Sequence, residues 1–524
     1  MNKHCIAVTI RAKNILPDNE NRNKSNGYRR FTNGLVCLSC LVFLSSCASA
    51  PDYKQLRIER ATAHFTTIKQ QKIGQQETLT LSKAINLALV NNLELKVQGL
   101  QESIENERQT AAMLGMLPEM RFTGTAQTRN NEPGSSSESL LTHTQSLEPS
   151  RSSEKKESSF EFGMMFSVID FGLSYYNSQQ AKDQITIVGQ QKRRQAQNLV
   201  VDVTETYLKV AAAQHAMEKT EAMLSISEKT TSDLQEVQQK QLLSGMKAME
   251  QQIGFFQLKQ RLTEYKRSYQ NNRFQLAALM GYYPDGEIRV DTSMLGRLAE
   301  NSVPSIESLE CIALENRPEL MENDVREHVS QVEAHKAILK MFPQVKLFAD
   351  FTDSSNTFLY NNSWWQVGLR ASFDLLNLPG RYYEYKANEM DTERLKAKAL
   401  ALSVGILTEV RIAHANLAEI KERFQISDKL YQTRVKYLET ARQNLGKTDG
   451  ISPLEVKRIE METVEAATHR DLALASYYMA WQRLLNAVGR ENLVTPSEKT
   501  AQVDKPKKSP AVPSPPELSP TIPS

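Results

Sequence analysis

The chain has 524 residues, with 64 Lys and Arg against 61 Asp and Glu, a formal net charge of +3 at pH 7. Only 40 % of the residues are hydrophobic and 7 % are aromatic, which argues against a bundle of membrane-spanning helices. The first 46 residues carry a net charge of +5. If they are removed as a signal peptide, the remaining chain has a net charge of about −2, which excludes a nucleic-acid-binding protein.

The N-terminal segment predicts export. An apolar run from Phe31 to Ala48 follows Arg29-Arg30 and ends in small residues, as a secretory signal does. The run is short for a membrane-spanning helix, which needs about 20 apolar residues, and a buried hydrophobic helix is the alternative. Its end, Leu44-Ser45-Ser46-Cys47, resembles a bacterial lipobox. That likeness implies a signal peptide over 1–46 and a covalent lipid on Cys47, with no other cofactor. The segment before the run is long, so the true translation start stays open.

Cysteine usage agrees with export. Processing removes the cysteines before Cys47 and leaves Cys311 as the single unmodified thiol, so no internal disulfide can form. Cys311 lies in an apolar helical pattern and is expected to be a small core residue.

An internal duplication is the strongest feature of the sequence. Ala88–Leu95 (ALVNNLEL) returns 225 positions later as Ala313–Leu320 (ALENRPEL). Three pairs of matching glycines continue the correspondence at slightly shorter offsets: Gly163 and Gly368, Gly245 and Gly450, and Gly281 and Gly489. Equal order at nearly equal spacing predicts one architecture built twice. The first repeat covers 81–281 and the second covers 306–489.

The remaining segments flank these repeats. Residues 47–80 are predicted to be a lipidated N-terminal arm in an extended conformation, and 282–305 are a linker. The tail, 490–524, is rich in Pro, Ser and Lys and is expected to be disordered.

Each repeat begins with a helix and continues with two strands. The first helix is predicted to run without a break from Ser82 to about Met116. The strands alternate between apolar and polar residues over about 10 positions, the length that crosses a bilayer when tilted. A pair of soluble hairpins with one wet face is the alternative. The apolar positions are Met120, Phe122, Gly124 and Ala126, then Phe160 to Val168, in the first repeat, and Val345, Leu347, Ala349 and Phe351, then Trp365 to Phe373, in the second.

Very long helices follow, at about 173–243 and 380–445. The second has a coiled-coil seam at Val410, Ala413, Leu417, Ile420 and Phe424. Each long helix ends at a glycine-containing turn, and a returning helix follows at 248–279 or 453–488.

The functional residues expected from the pattern are acidic, because no catalytic motif or zinc spacing is present. Glu250 and Glu455 each stand five residues after a matched glycine, and Asp449 lies in the second turn. In a ring of several chains these acids would form a negative collar that favours cations or sets a gate. The alternative for Glu455 is structural, since Ser452-Pro453-Leu454-Glu455 has the form of a capping box.

The export signal, the duplication, the strand pairs and the long helices together resemble the TolC-like outer-membrane factors, from about Leu81 to Gly489. The resemblance implies an α+β membrane protein in which long coiled helices form a periplasmic α-barrel. Three chains of a homotrimer would contribute four strands each to a 12-stranded transmembrane β-barrel. The tips, at Gly245 and Gly450, would contact a periplasmic adaptor protein, and an inner-membrane pump of the RND or ABC type would supply the energy.

The resulting expectation is a passive export duct in the outer membrane, lipid-anchored, with a large periplasmic portion and no enzymatic activity. Four strands cannot close a barrel alone, so the same strands predict association if they face lipid. The alternative is a periplasmic coiled-coil tether without a pore. The exported substrate and the pump class are left open.

Overall fold

The computed structural model of the protein describes residues 52–71, 78–146, 148–239, 245–284, 288–296, 298, 303–445, 451 and 453–490. Three of the predicted functional positions, Cys47, Asp449 and Gly450, lie outside these residues, as does the tail beyond 490. One compact unit ends at Gln70 and the other begins at Gln71, so that both repeats belong to the second unit.

The first unit contributes one described element, helix α1 (Tyr53–Gln70). This corrects the expectation of an extended arm. The segment has no internal Gly or Pro, and the Asp52 carboxylate accepts a hydrogen bond from the backbone N–H of Lys54 at 3.0 Å, which caps the helix. No residue of α1 is buried.

The second unit contains both repeats. The elements of the first are α2 (Leu81–Asn91), α3 (Leu93–Leu114), β1 (Glu119–Thr128), β2 (Gly134–Ser135), β3 (Ser150–Arg151), β4 (Lys156–Ser167), α4 (Val168–Gln239) and α5 (Gly245–Leu279). Those of the second are α6 (Ile306–Asn316), α7 (Pro318–Leu339), β5 (Gln344–Ser354), β6 (Ser363–Ser372), α8 (Leu378–Gln443) and α9 (Pro453–Val488). A 3₁₀ turn, Ser293–Gly296, lies in the linker.

The helix at the start of each repeat is broken, whereas the sequence predicted that the helix of the first repeat runs without a break. Asn92 separates α2 from α3, and its side chain accepts a hydrogen bond from the N–H of Leu95 at 3.0 Å, which begins the new helix. Arg317 separates α6 from α7 because it precedes Pro318, and a residue before proline is disfavoured in the helical conformation. The same kink therefore arises in the two repeats by different local chemistry.

The kinks hold the ends of the returning helices. The Asn92 side chain donates to the carbonyl oxygen of Leu279 at 3.0 Å, near the end of α5. The Arg317 guanidinium donates to the carbonyl oxygens of Asn486 and Ala487, each at 3.2 Å, near the end of α9. These contacts satisfy carbonyl groups that a helix C-terminus leaves without intrahelical partners.

The four long strands form one antiparallel sheet in the order β1-β4-β5-β6. The β4–β5 pairing joins the two repeats, and β1 and β6 are the edge strands. The helices nearest the sheet follow a matching order, because α3 packs on α4, α4 on α7, and α7 on α8. The edges of the sheet and of the helical layer are thus formed by corresponding parts of the chain.

The core lies where the long and returning helices meet. In the second repeat the predicted seam is confirmed: Val410, Leu417 and Phe424 are buried, and Ala413 and Ile420 pack partly buried against them. No described helix has an apolar stretch of the length and purity that a membrane crossing requires.

Cys311 is exposed, so its prediction as a core residue was wrong. In α6 the buried positions are Leu309 and Ala313, four residues apart. Cys311 lies midway between them, about 200° around the helix, and therefore points away from the core.

Candidate channel wall and helical tips

One face of the sheet is apolar and exposed. The strand register aligns Phe122, Phe162, Phe351 and Trp365 in a single row across all four strands. The Phe351 and Trp365 ring centroids are 5.0 Å apart. Phe122 and Trp365, at the two edges, are 72 % and 70 % exposed. The alternation predicted from the sequence is therefore present, and its apolar side is uncovered within a single chain.

The opposite face of the sheet is charged. A groove of about 160 Å³ on this face is lined by charged side chains of all four strands: Glu119, Arg121, Glu161, Lys346, Asp350 and Arg370. The Arg121 guanidinium lies 2.7 Å from the Glu119 carboxylate. Both signs of charge are interspersed, which suits a surface in contact with water.

The matched glycines of the strands make room on this charged face. A Cβ atom on Gly163 would lie 2.6 Å from the Asp350 carboxylate, and one on Gly368 would lie 2.5 Å from the Phe348 ring. Each glycine therefore allows a side chain of the adjacent strand to lie across the sheet. This is the physical reason for the glycine pair that the repeat comparison identified.

The loops at the far end of the sheet are tied together. The Asn356 side chain, in the β5–β6 loop, donates to the carbonyl oxygen of Ser152 at 3.3 Å. The Arg151 guanidinium stands 4.9 Å from the Phe358 ring centroid. The long loop between β1 and β4 is thus anchored on the short loop between β5 and β6.

The two candidate gate acids occupy different helical positions. Gly245 is the first residue of α5, which makes Glu250 the sixth, and Glu250 is exposed. Glu455 is the third residue of α9 and lies in its first turn, where a carboxylate favourably meets the positive end of the helix dipole. Although Glu250 and Glu455 each follow a matched glycine by five residues, they occupy different positions in their helices.

Glu455 is paired with a cation that the sequence reasoning did not single out. Its carboxylate forms an ion pair with Arg458, one turn along α9. Arg458 also lies 2.7 Å from the Glu462 carboxylate. The hydrogen bond with Glu455 raises the pKa of Arg458 above its usual value. The spacing of three and four residues on one helix was the signal that could have identified this pair.

Glu250 faces a groove shared by the two returning helices. This groove, of about 330 Å³, lies between α5 and α9 and is lined by Glu250, Arg458 and Glu462 among others. An ion pair between Arg261 of α5 and Glu465 of α9 bridges its walls. The structure thus brings Glu250 to the same groove as the Arg458 side chain that binds Glu455.

A buried charge cluster joins the repeats farther along the helices. The Asp471 carboxylate of α9, whose side chain is 5 % exposed, lies 2.6 Å from the Lys219 ammonium and 3.2 Å from His215 Nδ1, both of α4. Arg470 is 3.1 Å from the same carboxylate. Burial, and next the charge of Lys219, lower the pKa of His215 despite the nearby carboxylate. This cluster could not be found from the sequence because its α4 and α9 members are about 250 residues apart.

No group of three or more His, Cys, Asp or Glu side chains suited to a metal ion occurs within the described ranges. The groups that these ranges bring together are ion pairs and polar linings, which can bind, gate or position.

The sequence matches no family model and no curated protein. The fold, however, is similar to that of solved membrane proteins. CusC, whose structures concern transmembrane channel formation, gives a TM-score of 0.63 at 16 % identity, over 78 % of this chain and 92 % of that one. The outer membrane protein VceC of Vibrio cholerae gives 0.60 at 14 %, over 78 % and 96 %. The CmeC outer membrane channel of Campylobacter jejuni gives 0.61 at 13 %, over 78 % and 85 %. The chain therefore shares the fold of these outer-membrane proteins, which is the fold that the resemblance to the TolC-like outer-membrane factors implied.

Proposed function

We propose that the chain is the outer-membrane channel of a tripartite efflux or secretion system, a passive duct that docks to a periplasmic adaptor and an inner-membrane pump. The observation that carries this proposal is the exposed apolar face of a sheet whose opposite face is charged. Such a sheet is suited to separate lipid from an aqueous lumen.

The edges of the sheet favour association of several copies of the chain, and the resemblance to the TolC-like factors makes that number three. A four-stranded sheet leaves the hydrogen-bonding groups of β1 and β6 open, and open edges are not tolerated in lipid. Single-chain barrels have at least about eight strands, so several copies must associate. Three chains give a closed barrel of 12 strands, with β6 of each chain beside β1 of the next.

The helical edges favour the same closure. On α3 a seam of exposed apolar side chains follows the 4-3-4 spacing of a coiled coil: Leu93, Val97, Leu100 and Ile104. On α8 a second exposed seam follows a spacing of 7, 3 and 4: Met390, Ala397, Leu400 and Val404. Because α3 and α8 stand at opposite ends of the helical layer, α8 of one chain would cover α3 of its neighbour. Such a heterologous contact closes into a ring.

The tips of this helical barrel would contact the adaptor. Gly245 and Gly450 are the positions expected to contact it, and Glu250, with Asp449, remains the candidate constriction. The ion pair with Arg458 favours a structural role for Glu455. The pump, of the RND or ABC type, would select the cargo.

The lipid on Cys47 would hold the N-terminal segment at the outer membrane, while most of the chain lies in the periplasm. A non-pore coiled-coil tether is the second candidate, favoured by the long helices themselves. A tether does not account for the exposed aromatic row, whose edge residues Phe122 and Trp365 are largely exposed.

A charge on the apolar face separates the two candidates. Leu369 of β6 is 62 % exposed on this face, and Leu369→Arg should abolish heat-resistant trimers on electrophoresis, because an arginine at the bilayer midplane costs about 2–4 kcal/mol per chain. Gln366→Arg is the matched control, since Gln366 lies on the charged face opposite Asp350 and should assemble normally. Normal trimers from Leu369→Arg would favour the tether.

A further inference from the structure

Helix α1 has one narrow apolar face. Ile58, Ala61, Phe65 and Ile68 recur at intervals of three and four residues and share one side of the helix. Ile58 is 61 % exposed and Phe65 54 %. The opposite side is mainly polar and carries Glu59, Arg60, Thr67 and Gln70, together with Leu56 and Ala63.

The helix is also strongly basic. Lys54, Arg57, Arg60 and Lys69 stand against the single acid Glu59, which gives the 18-residue segment a net charge of +3. The Lys69 ammonium lies 5.7 Å from the Phe65 ring centroid, next to the apolar face. Arg57 and Lys69 flank this face on either side by helical geometry. Long basic side chains beside an apolar face can extend toward phosphate groups while their stems remain in the apolar layer.

We propose that α1 lies flat on the periplasmic surface of the outer membrane, with its apolar face among the acyl chains and its basic residues on anionic phospholipid headgroups. The positive charge favours an anionic lipid surface, because four cations would add no electrostatic attraction to an uncharged apolar groove. Three large apolar side chains also offer little area for a stable protein–protein interface.

The position of α1 in the chain supports the inference, which here rests on the proposed lipidation of Cys47. Six residue steps separate Cys47 from Tyr53 and span at most about 20 Å when extended, so the helix starts within reach of the anchored surface. A tethered helix needs little affinity of its own, because the anchor raises its local concentration at the membrane. One acyl chain binds marginally, whereas an acyl chain with a basic patch anchors stably.

The test uses the full chain in a Cys311→Ser background, reconstituted in vesicles of phosphatidylethanolamine and phosphatidylglycerol. A polarity-sensitive fluorophore is attached at Ala61→Cys on the apolar face or, as the matched control, at Thr67→Cys on the opposite side. The label at 61 should be quenched by spin-labelled lipids and shielded from iodide, and the label at 67 should show the reverse. The ratio of lipid-embedded to free label at 61 should fall about fivefold for each of Arg57→Gln and Lys69→Gln, and should fall in vesicles of phosphatidylcholine alone.

Three results would overturn the inference. Equal quenching of both labels by iodide would place α1 in water. A label at 61 shielded from iodide but untouched by spin-labelled lipid would place α1 against protein. Insensitivity to anionic lipid and to both substitutions would remove the role of charge. Heat-resistant trimers in the same samples, and fatty-acid labelling that is lost in Cys47→Ser, report on the channel and its anchor separately, so failure of α1 to dock is distinguishable from failure of the proposed function.

Discussion

At the scale of single residues, the paired glycines after the returning helices explain part of the duplication. Gly281 and Gly489 adopt φ angles of 75° and 78°, in the left-handed region that favours glycine. A Cβ atom on Gly281 would lie 2.4 Å from the carbonyl oxygen of Asn91, and one on Gly489 would lie 3.1 Å from that of Asn316. Each glycine therefore lets the end of a returning helix approach the kink of its own repeat.

Substitution of these glycines should lower stability unequally. Gly281→Ala combines about 1–2 kcal/mol of left-handed strain with a backbone clash, so it should lower the melting temperature more than Gly489→Ala does. Gly189→Ala is the control, because its Cβ would meet no atom within 4 Å in the middle of α4, and alanine should stabilise that helix by up to about 1 kcal/mol. Thermal unfolding of the purified variants measures the order. Equal melting temperatures for all three variants would contradict the packing described.

These residues also mark what the sequence could reveal. Repetition identified Gly281, Gly489 and the segments near Asn92 and Arg317, because duplicated positions are visible in one chain. The contact between the kink at Asn92 and the end of the returning helix could not be predicted, because it joins residues almost 190 positions apart. The outward direction of Cys311 was missed for another reason: its apolar neighbours in sequence lie on a different side of the helix.

At the scale of elements, helix α4 links the two halves of the molecule. It has 72 residues, about 108 Å at 1.5 Å each, and packs against both α5 and α9. The cluster of Asp471 with His215, Lys219 and Arg470 lies at the α4–α9 contact. A buried carboxylate with three nitrogen neighbours is stabilised only while those neighbours stay in place.

This cluster should make stability depend on pH. Since the pKa of His215 is lowered in the folded state, the unfolded chain takes up a proton first as the pH falls below about 6.5. The stabilisation from neutral His215 is therefore present above that pH and is lost as the pH falls toward the folded-state pKa. Besides Lys219, Asp471 and Arg470, Glu218 also acts on this imidazole.

Unfolding of His215→Gln, followed between pH 7.5 and 5 (a range chosen around the histidine pKa), should show a weaker loss of stability than unfolding of the parent chain. His469→Gln is the matched control, because it removes an imidazole that is 61 % exposed and lies outside the buried cluster. A parent and a His215→Gln variant with identical pH profiles would show that the imidazole does not contribute.

Element boundaries were predictable where a single strong signal acted. Pro453 begins α9, and the alternating patterns gave the strands of the sheet. The break at Asn92 was missed because good helix formers surround it and the kink is fixed by a contact with a distant helix end. The helix over Tyr53–Gln70 was missed because its apolar residues are few, although its composition is favourable and Asp52 caps it. Arg458 was missed because the comparison of the two repeats singled out the matched acids and not the cations that pair with them.

At the scale of the whole molecule, two layers end at corresponding edges. The sheet ends at β1 and β6, and the helical layer ends at α3 and α8. Exposed apolar side chains lie along all four of these elements. If β6 and α8 of one chain pack against β1 and α3 of the next, the same contact covers the open edges of both layers. This agreement between sheet and helices is the main physical support for a closed ring.

The conductance of the purified protein in a planar lipid bilayer tests the channel most directly. The account predicts unitary current steps from the trimer, retained in Gln366→Arg and absent in Leu369→Arg. Glu250→Ala should give larger steps if this carboxylate narrows the tip, whereas Glu455→Ala should leave them unchanged because Glu455 is paired with Arg458. Protein that is folded and trimeric yet never conducts, even as the Glu250→Ala variant, would contradict the proposed channel and leave the tether.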